Sequence, residues 1–242
     1  CGKQIGMSKS PSLLSRLAAL VLPRPENRVV LPDLEAGDSL IYAVGDLHGC
    51  RALYRDLEAM IVADAQAIGL APIIVLLGDM IDRGPDSAGL LDDLTNPAAA
   101  GLRRVAVMGN HEAMMLEFLA SPKKNVTWLS FGGTETLASY GLQLDEADVQ
   151  RLSERRLQQI FEAHIPESHR SFLSSLPFGF TQGSLVFVHA GINPGYALDE
   201  QPQDVVLLGA GVAEPVDGLI VVQGHIVVTS PDLSQSRIMV DT

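Results

Sequence analysis

The chain has 242 residues, of which 47% are hydrophobic and 19% are charged, and its formal net charge is -12. This length predicts one globular domain with a sizeable core, and the apolar fraction excludes a disordered chain. With 17 basic against 29 acidic residues, we expect neither nucleic acid nor a membrane surface as the main partner. The same acidity raises the question of how such a chain would hold an anionic substrate.

Residues 1–38 are predicted to be an N-terminal lead-in rather than a domain. Their apolar run, Leu17–Leu22, is too short to span a bilayer. A cysteine at position 1 is compatible with a lipidated N-terminus, whereas Met7 is equally compatible with being the native first residue. Two cysteines give no disulfide framework, so the default expectation is a reducing, cytoplasmic location.

After the lead-in, short β-type runs alternate with helical patterns, as in consecutive βαβ units. This order predicts an α/β fold in which a parallel or mixed sheet is covered by helices. Residues 121–180 differ, since a glycine-containing stretch and a charged helical segment, Glu146–His164, replace the alternation. We therefore predict one domain over residues 39–242 with a helical cap inserted at about 121–180. The predicted strands are Leu40–Val44, Ile73–Leu77, Val105–Met108, Leu185–Val188, Leu219–Val222 and a last one around Ile238–Val240.

Five of these strands end in a glycine turn that carries Asp, Asn or His. Ligands bind beyond the carboxyl ends of the strands in open α/β sheets, so we expect the five turns to converge. Four of the six histidines fall in these turns, whereas His164 and His169 are predicted to be solvated surface residues. The turns read Gly45-Asp46-Leu47-His48-Gly49, Gly78-Asp79-Met80-Ile81-Asp82-Arg83-Gly84, Gly109-Asn110-His111-Glu112, His189-Ala190-Gly191 and Gln223-Gly224-His225.

Carboxylate, imidazole and amide side chains together favour Mn, Fe or Zn over the all-oxygen sites of Mg²⁺ and Ca²⁺. Hydrolysis of phosphate esters commonly uses two ions about 3.5–4 Å apart that share one carboxylate. Asp79 is the natural bridge, because its strand lies in chain order between those that carry Asp46 and Asn110. Two divalent ions would make this point locally positive, so an acidic chain can still attract phosphate.

Other hydrolytic mechanisms lack their motifs. Cys50 has Asp56 rather than Arg six positions later, which excludes a Cys-x5-Arg phosphatase loop. The segment after His111 has Met115 where a His-Glu-x-x-His protease needs its second histidine.

Taken together, the five turns resemble the motifs of the PPP-type calcineurin-like metallophosphoesterases, in their bacterial and phage serine/threonine protein phosphatase branch. The stretch Trp128–Gly141 also resembles that bacterial branch. The resemblance implies a metallophosphoesterase-type β-sandwich flanked by helices (αββα). It also implies two divalent metal ions, with Mn²⁺ favoured and Fe or Zn as alternatives.

Carried over position by position, the resemblance implies roles for individual residues. His111 would be the general acid, oriented by Asp82, and Arg83 would clamp the phosphate together with Asn110. A metal-bridging hydroxide would be the nucleophile. We interpret Glu112 as complementing a helix N-terminus, and Trp128 as packing under the cap. One metal would be held by Asp46, His48 and Asp79, and the other by Asp79, Asn110, His189 and His225.

The leading hypothesis is a serine/threonine protein phosphatase acting on a phosphoprotein or a small phosphoester. A dinucleoside polyphosphate hydrolase is the alternative. Relatives of that kind tend to have Asp after Gly-Asn-His, where this chain has Glu112, and no acidic residue before the Arg that corresponds to Arg83, where this chain has Asp82. A third hypothesis is a catalytically impaired metal-binding interaction module. It is motivated by Gly209, which stands where relatives carry a second phosphate-binding Arg, and by Asp241-Thr242, beyond which relatives continue.

Overall fold

The computed structural model describes residues 28–209, 218–233 and 236–242. The strands in these ranges are β1 Arg28–Val29, β2 Leu40–Val44, β3 Pro72–Leu76, β4 Arg103–Ala106, β5 Gly179–Gln182, β6 Leu185–Val188, β7 Gln201–Pro202, β8 Ile220–Gln223, β9 Asp232–Leu233 and β10 Arg237–Met239. The α-helices are α1 Arg51–Ile68, α2 Ser87–Thr95, α3 Asn110–Ala120, α4 Gly133–Ser139, α5 Glu146–Arg151, α6 Glu154–His164, α7 Glu167–Ser175 and α8 Gln203–Leu208, with 3-10 helices at Val126–Phe131 and Leu198–Glu200.

Strands β2, β3 and β4 form a parallel sheet with β3 in the middle. All five β3 positions are buried, as expected for a strand covered on both faces. Side chains alternate across a strand, so Ile73 and Val75 point to one face while Ile74 and Leu76 point to the other. The first pair joins the core between the sheets, and the second pair packs with the helices.

The second sheet has the order β5-β6-β8-β10-β9. Its three inner strands run parallel, and β5 and β9 pair antiparallel at the edges. Phe187 and Val222 of this sheet meet Ile73 and Val75 of the first, and Leu34 fills the same layer. The predicted α/β sandwich with flanking helices is therefore confirmed, and the five motif-bearing strands are divided between two facing sheets rather than sharing one.

The segment between β4 and β5 is helical, but the predicted helical stretch Glu146–His164 is two helices, α5 and α6. Leu152 is extended, and the Ser153 side chain accepts a hydrogen bond from the Arg156 N–H (3.3 Å). A serine in this N-cap position starts a new helix rather than continuing the old one. The division of the chain into lead-in, domain and cap stays a prediction.

The described part of the predicted lead-in packs onto the sandwich. Strand β1 pairs with β7, and Leu34, which is fully buried, donates its N–H to the Thr181 carbonyl (2.7 Å). Leu17–Leu22 lies outside the described residues. Within the described ranges, no helix combines the length and the apolar character that a membrane crossing requires.

Candidate metal centre

The five motif turns converge where the two sheets end. His48 follows β2, Asp79 follows β3, Asn110 and His111 open α3, His189 follows β6 and His225 follows β8. Asp79, Asn110, His111 and His189 are buried, whereas His48 and His225 are half-buried and Arg83 is exposed. The predicted site residues thus come from both sheets to one partly open cluster.

The site loops contain an unusual concentration of left-handed backbone. Within the described ranges, six non-glycine residues have positive φ, and five of them belong to the predicted site. Such conformations cost of order 1 kcal/mol or more for each L-residue, so these loops must be held by other contacts. The five are His48 (φ 42°), Asp79 (φ 48°), Asp82 (φ 72°), Arg83 (φ 64°) and His225 (φ 61°).

One group of ligand atoms surrounds the Asp79 carboxylate on the side of the turn Gly45–Gly49, which carries His48. Asp79 Oδ2 lies 3.9 Å from His48 Nε2 and 3.8 Å from His111 Nε2. His48 Nδ1 donates to the Ile81 carbonyl (2.9 Å), which leaves its Nε2 lone pair directed at the site. Asp79 and His48 could hold a metal ion here, and the imidazole of His111, the predicted general acid, lies beside them.

A second group shares the same carboxylate. His189 Nε2 lies 3.4 Å from Asp79 Oδ2, 2.9 Å from Asn110 Oδ1 and 3.1 Å from His225 Nδ1. His189 Nδ1 donates to the Leu77 carbonyl (2.7 Å), so its Nε2 presents a lone pair to other acceptors. Converging lone pairs with the second imidazole nitrogen tied to a carbonyl are typical of metal-binding histidines. The donor set therefore fits a divalent cation.

Asp46 lies beside these groups rather than within either of them. Its Oδ1 accepts the His225 N–H (3.1 Å) and lies 3.9 Å from His189 Nδ1. Burial, together with the charges of Asp79 and Asp241, raises the pKa of the Asp46 carboxyl to about 9. Asp241, which the sequence did not single out as a site residue, is therefore a third carboxylate close to the centre.

The carboxylate of Glu112 lies under two of the loops. Its Oε2 accepts the N–H groups of Asp79 (2.8 Å) and Gly109 (3.0 Å), and its Oε1 accepts those of Met80 (2.8 Å) and Ile81 (3.3 Å). Glu112 thus does more than complement a helix N-terminus, because it connects the loop after β3 to the start of α3. Burial, followed by the charge of Asp79, raises the pKa of this carboxyl to about 7.

Asp82 and His111 form a buried pair next to the first group. His111 Nδ1 donates to Asp82 Oδ2 (2.7 Å), and His111 Nε2 lies 3.1 Å from Arg83 NH2. Burial lowers the pKa of the His111 imidazole, but Asp79 and the hydrogen bond to Asp82 outweigh it and raise the value to about 9. Burial also raises the pKa of Asp82, against the hydrogen bonds that this carboxylate accepts. His111 can therefore carry a proton at neutral pH.

The two histidines outside the motifs differ from each other. His164 is exposed, as predicted, whereas His169 is buried and the prediction of a solvated surface position is wrong. His169 Nδ1 contacts the Tyr140 hydroxyl (2.8 Å), and its Nε2 lies 3.1 Å from Asp92 Oδ1. Partners on α2 and just after α4 form hydrogen bonds with both ring nitrogens, so this polar side chain is buried without an unsatisfied polar atom.

Gly209, the position of the expected second Arg, ends α8 with φ 66°. A side chain added here would take a left-handed backbone and bring its Cβ to 3.3 Å from the Ala190 carbonyl oxygen. An Arg at this position would therefore carry a conformational cost that Gly avoids.

Comparisons with known proteins agree with this geometry. The profile of the calcineurin-like phosphoesterases matches residues 39–236. The symmetrical bis(5'-nucleosyl)-tetraphosphatase of Aromatoleum aromaticum is 28% identical over 159 residues, 66% of this chain and 46% of that protein. Serine/threonine-protein phosphatase 1 of Salmonella typhimurium is 38% identical over 93 residues, 38% of each protein. The chain thus spans less than half the length of these two curated relatives.

Two solved structures share the fold. A crystal structure described provisionally as a diadenosine tetraphosphatase superposes with a TM-score of 0.57 at 23% identity, covering 88% of this chain and 87% of that one. A mutant of a cold-active protein tyrosine phosphatase gives a TM-score of 0.55 at 15% identity, covering 88% of this chain and 74% of that one.

Proposed function

The chain belongs to the calcineurin-like phosphoesterase family, and from this premise we propose that it hydrolyses phosphate monoesters with the help of bound divalent metal ions. The observation that carries the proposal is the position of Arg83. Its NH1 lies 2.9 Å from His48 Nε2 and its NH2 lies 3.1 Å from His111 Nε2. The guanidinium therefore stands between a proposed metal ligand and the proposed proton donor, which supports a role in binding the phosphoryl group.

The proposed ligands divide between two ions that share Asp79. Asp46 and His48 complete one set, and Asn110, His189 and His225 complete the other. Bound divalent ions would supply Lewis acidity, which activates water and neutralises phosphoryl oxygens. We propose Mn²⁺ as the ion, with Fe or Zn as alternatives, because the donor set mixes imidazole with oxygen.

The remaining residues act on the substrate directly. The planar fork of Arg83 suits two phosphoryl oxygens at once, with the Asn110 amide nearby. As water attacks phosphorus and the ester bond breaks, the leaving oxygen takes a proton from His111 Nε2. Asp82 holds the opposite ring nitrogen, so Nε2 stays directed at the site.

For the substrate we propose phosphoserine or phosphothreonine in proteins. Glu112 after Gly-Asn-His and Asp82 before Arg83 both favour this branch, and the Salmonella phosphatase is 38% identical over its matched residues. A dinucleoside tetraphosphate is the second candidate, since the relatives from Aromatoleum aromaticum and Burkholderia mallei are named for that reaction.

The test compares three substrates on protein loaded with Mn²⁺: an aryl phosphate, a phosphoserine peptide and diadenosine tetraphosphate. We expect turnover of the first two that Asp79→Asn abolishes and that the control His164→Asn, an exposed histidine, leaves unchanged. Faster release of ADP from diadenosine tetraphosphate than of phosphate from the peptide would favour the second candidate. Mn²⁺ binding without turnover of any substrate would favour a metal-binding interaction module and overturn the proposal.

A further inference from the structure

The Asp82 carboxylate is completely enclosed, and of the three hydrogen-bond donors that the described residues supply to it, two come from the helical segment between β4 and β5. Trp128 Nε1 donates to Oδ2 (2.7 Å), the same oxygen that His111 Nδ1 contacts, and the Thr136 hydroxyl donates to Oδ1 (2.6 Å). Asp82 itself is 0% exposed. Its orientation is therefore set by protein donors within a dry environment.

Trp128 and Thr136 differ in chemistry, but both donate a hydrogen bond to the Asp82 carboxylate. An indole N–H can only donate, so Trp128 always presents a proton to Oδ2. The Thr136 hydroxyl accepts the Asp82 N–H (2.8 Å) while it donates to Oδ1, which fixes both the backbone and the side chain of Asp82. Hydrogen bonds to an ionised, buried carboxylate are among the stronger ones in proteins.

Trp128 and Thr136 are themselves held firmly. Trp128 is fully buried and its ring centroid lies 4.8 Å from that of Phe118. The backbone of Gly133 lies directly against the indole, since a Cβ at this glycine would come within 2.6 Å of two ring carbons. The neighbouring Gly132 carbonyl accepts the Arg83 N–H (3.2 Å), so the same segment also contacts the loop that carries the phosphate-binding residue.

We propose that Trp128 and Thr136 are positioning residues, which hold Asp82 so that His111 directs Nε2 at the leaving group. The proposal rests on the proposed function of His111 as proton donor. It gives the helical segment a part in the chemistry, in addition to any part in recognising substrate.

Each variant is chosen to remove one donor to Asp82. Trp128→Phe removes the indole N–H, and Thr136→Val removes the hydroxyl at nearly constant volume. The Asp82 N–H keeps the Ser87 hydroxyl as acceptor (3.2 Å) in the second variant, which favours folding. Thr136→Ser retains the hydroxyl and serves as the rescue. Tyr54→Phe is the matched control, because Tyr54 is a buried aromatic whose hydroxyl donates to a different carboxylate, Glu58 (2.6 Å).

The first measurement is independent of turnover. In the full chain loaded with diamagnetic Zn²⁺, we expect the His111 Nδ1 proton to give a strongly downfield resonance in ¹H NMR, assigned by its loss in His111→Gln. Trp128→Phe and Thr136→Val should shift or broaden this resonance, whereas Thr136→Ser and Tyr54→Phe should leave it in place.

The second measurement uses leaving groups of different basicity. Proton donation matters most for an alkyl phosphate and least for a nitrophenyl phosphate, and general acid catalysis commonly contributes about 10²–10⁴-fold. We expect Trp128→Phe and Thr136→Val to lower kcat on a phosphoserine peptide about tenfold more than kcat on 4-nitrophenyl phosphate, with KM little changed. Equal losses on both substrates together with an unshifted resonance would overturn the proposal. Absence of turnover in the unmodified chain would instead overturn the proposed function, and the resonance would still test the hydrogen bonds.

Discussion

At the scale of single residues, buried acceptors decide the geometry of the site. Asp79 has a left-handed backbone (φ 48°), yet its N–H and the two that follow all point to the carboxylate of Glu112. With the Gly109 N–H included, one side chain satisfies four backbone donors that would otherwise be buried without partners. The orientation of the shared carboxylate of Asp79 therefore depends on Glu112.

Replacing Glu112 by Gln should weaken both the fold and the metal site. The amide keeps one acceptor oxygen and places an NH₂ group against backbone donors, and each unsatisfied buried group costs about 1–3 kcal/mol. We expect the free energy of unfolding, measured with urea, to fall by about 2–4 kcal/mol. Calorimetric titration should show weaker Mn²⁺ binding.

Glu162→Gln is the control for this variant, since Glu162 is exposed on α6. If Glu112→Gln binds Mn²⁺ as tightly as the unchanged chain does, the Glu112 carboxylate is not needed to orient Asp79 in the loop after β3.

The candidate site residues were predictable because each follows a strand in a short motif. Glu112, Trp128 and Thr136 gave a weaker signal, since their partners lie far away along the chain and are backbone amides or the side chain of Asp82. Trp128 was predicted to pack, and it does, but its N–H donation to Asp82 depends on a three-dimensional approach that no local pattern encodes. Long-range hydrogen bonds of this kind are what the sequence did not reveal about the site.

At the scale of elements, α1 and α2 are connected through one carboxylate. Asp93 on α2 accepts two hydrogen bonds from Arg51 (2.7 and 2.9 Å) and two from Arg55 (2.7 and 2.6 Å), both on α1. These contacts hold the pKa of Asp93 well below its usual range, led by the hydrogen bond from Arg51. Helix α1 follows the turn Gly45–Gly49, and α2 follows the turn Gly78–Gly84. The connection between the two helices therefore also helps to hold these two site turns in place.

Stability should depend on pH through Asp93. A carboxyl whose pKa is lower in the folded state stabilises that state above its unfolded pKa, and the contribution is lost as pH falls through the folded value. We expect Asp93→Asn to lower the free energy of unfolding by about 1 kcal/mol at pH 7, a modest amount because the arginines are partly exposed. The difference between the two proteins should shrink as the pH falls below about 4.

Urea unfolding at pH 3, 5 and 7 measures this dependence, with Asp56→Asn as the control because Asp56 is exposed on α1, the helix that carries Arg51 and Arg55. A difference between Asp93→Asn and the unchanged chain that is constant over this pH range would contradict the assignment.

The six strands predicted from the sequence lie within a residue or two of β2, β3, β4, β6, β8 and β10, because buried β-type runs bounded by glycine turns are distinctive. Strands β1, β5, β7 and β9 were not predicted. The division into two sheets was implied by the family resemblance and could not be read from the runs themselves. The apolar residues of α1 do not all face the core, since Leu53 and Met60 are about 70% exposed while Tyr54 and Ile61 are buried. Hydrophobicity alone could not decide which side of this helix meets the core.

At the scale of the whole molecule, the net charge of -12 includes the carboxylates grouped at the centre. Asp46 and Asp241 both have a raised pKa, caused by burial and then by the nearby charge of Asp79. Three acidic groups in this small volume repel one another unless a cation or a proton lies between them. Metal binding should therefore stabilise the entire fold.

We expect saturating Mn²⁺ to raise the melting temperature and EDTA to reverse the effect. A ligand at 100 times its Kd adds about 2.7 kcal/mol per site, which corresponds to roughly 5–10 °C for a chain of this size. Differential scanning calorimetry measures the shift, and Asp79→Asn should remove most of it. A shift of the same size in Asp79→Asn would place the bound metal elsewhere.

The left-handed residues of the site loops have a consequence for how this protein can be altered. At His48, Asp79, Asp82, Arg83 and His225, glycine would relieve backbone strain, and it would also delete a proposed functional side chain. A search for more thermostable variants that ignored activity would therefore favour glycine at the exposed Arg83, whereas glycine at Asp82 would leave the buried donors of His111 and Trp128 without an acceptor. The same search would remove the proposed phosphate-binding side chain. Selection for heat resistance alone and selection for function should accordingly diverge here sooner than anywhere in the surrounding sandwich.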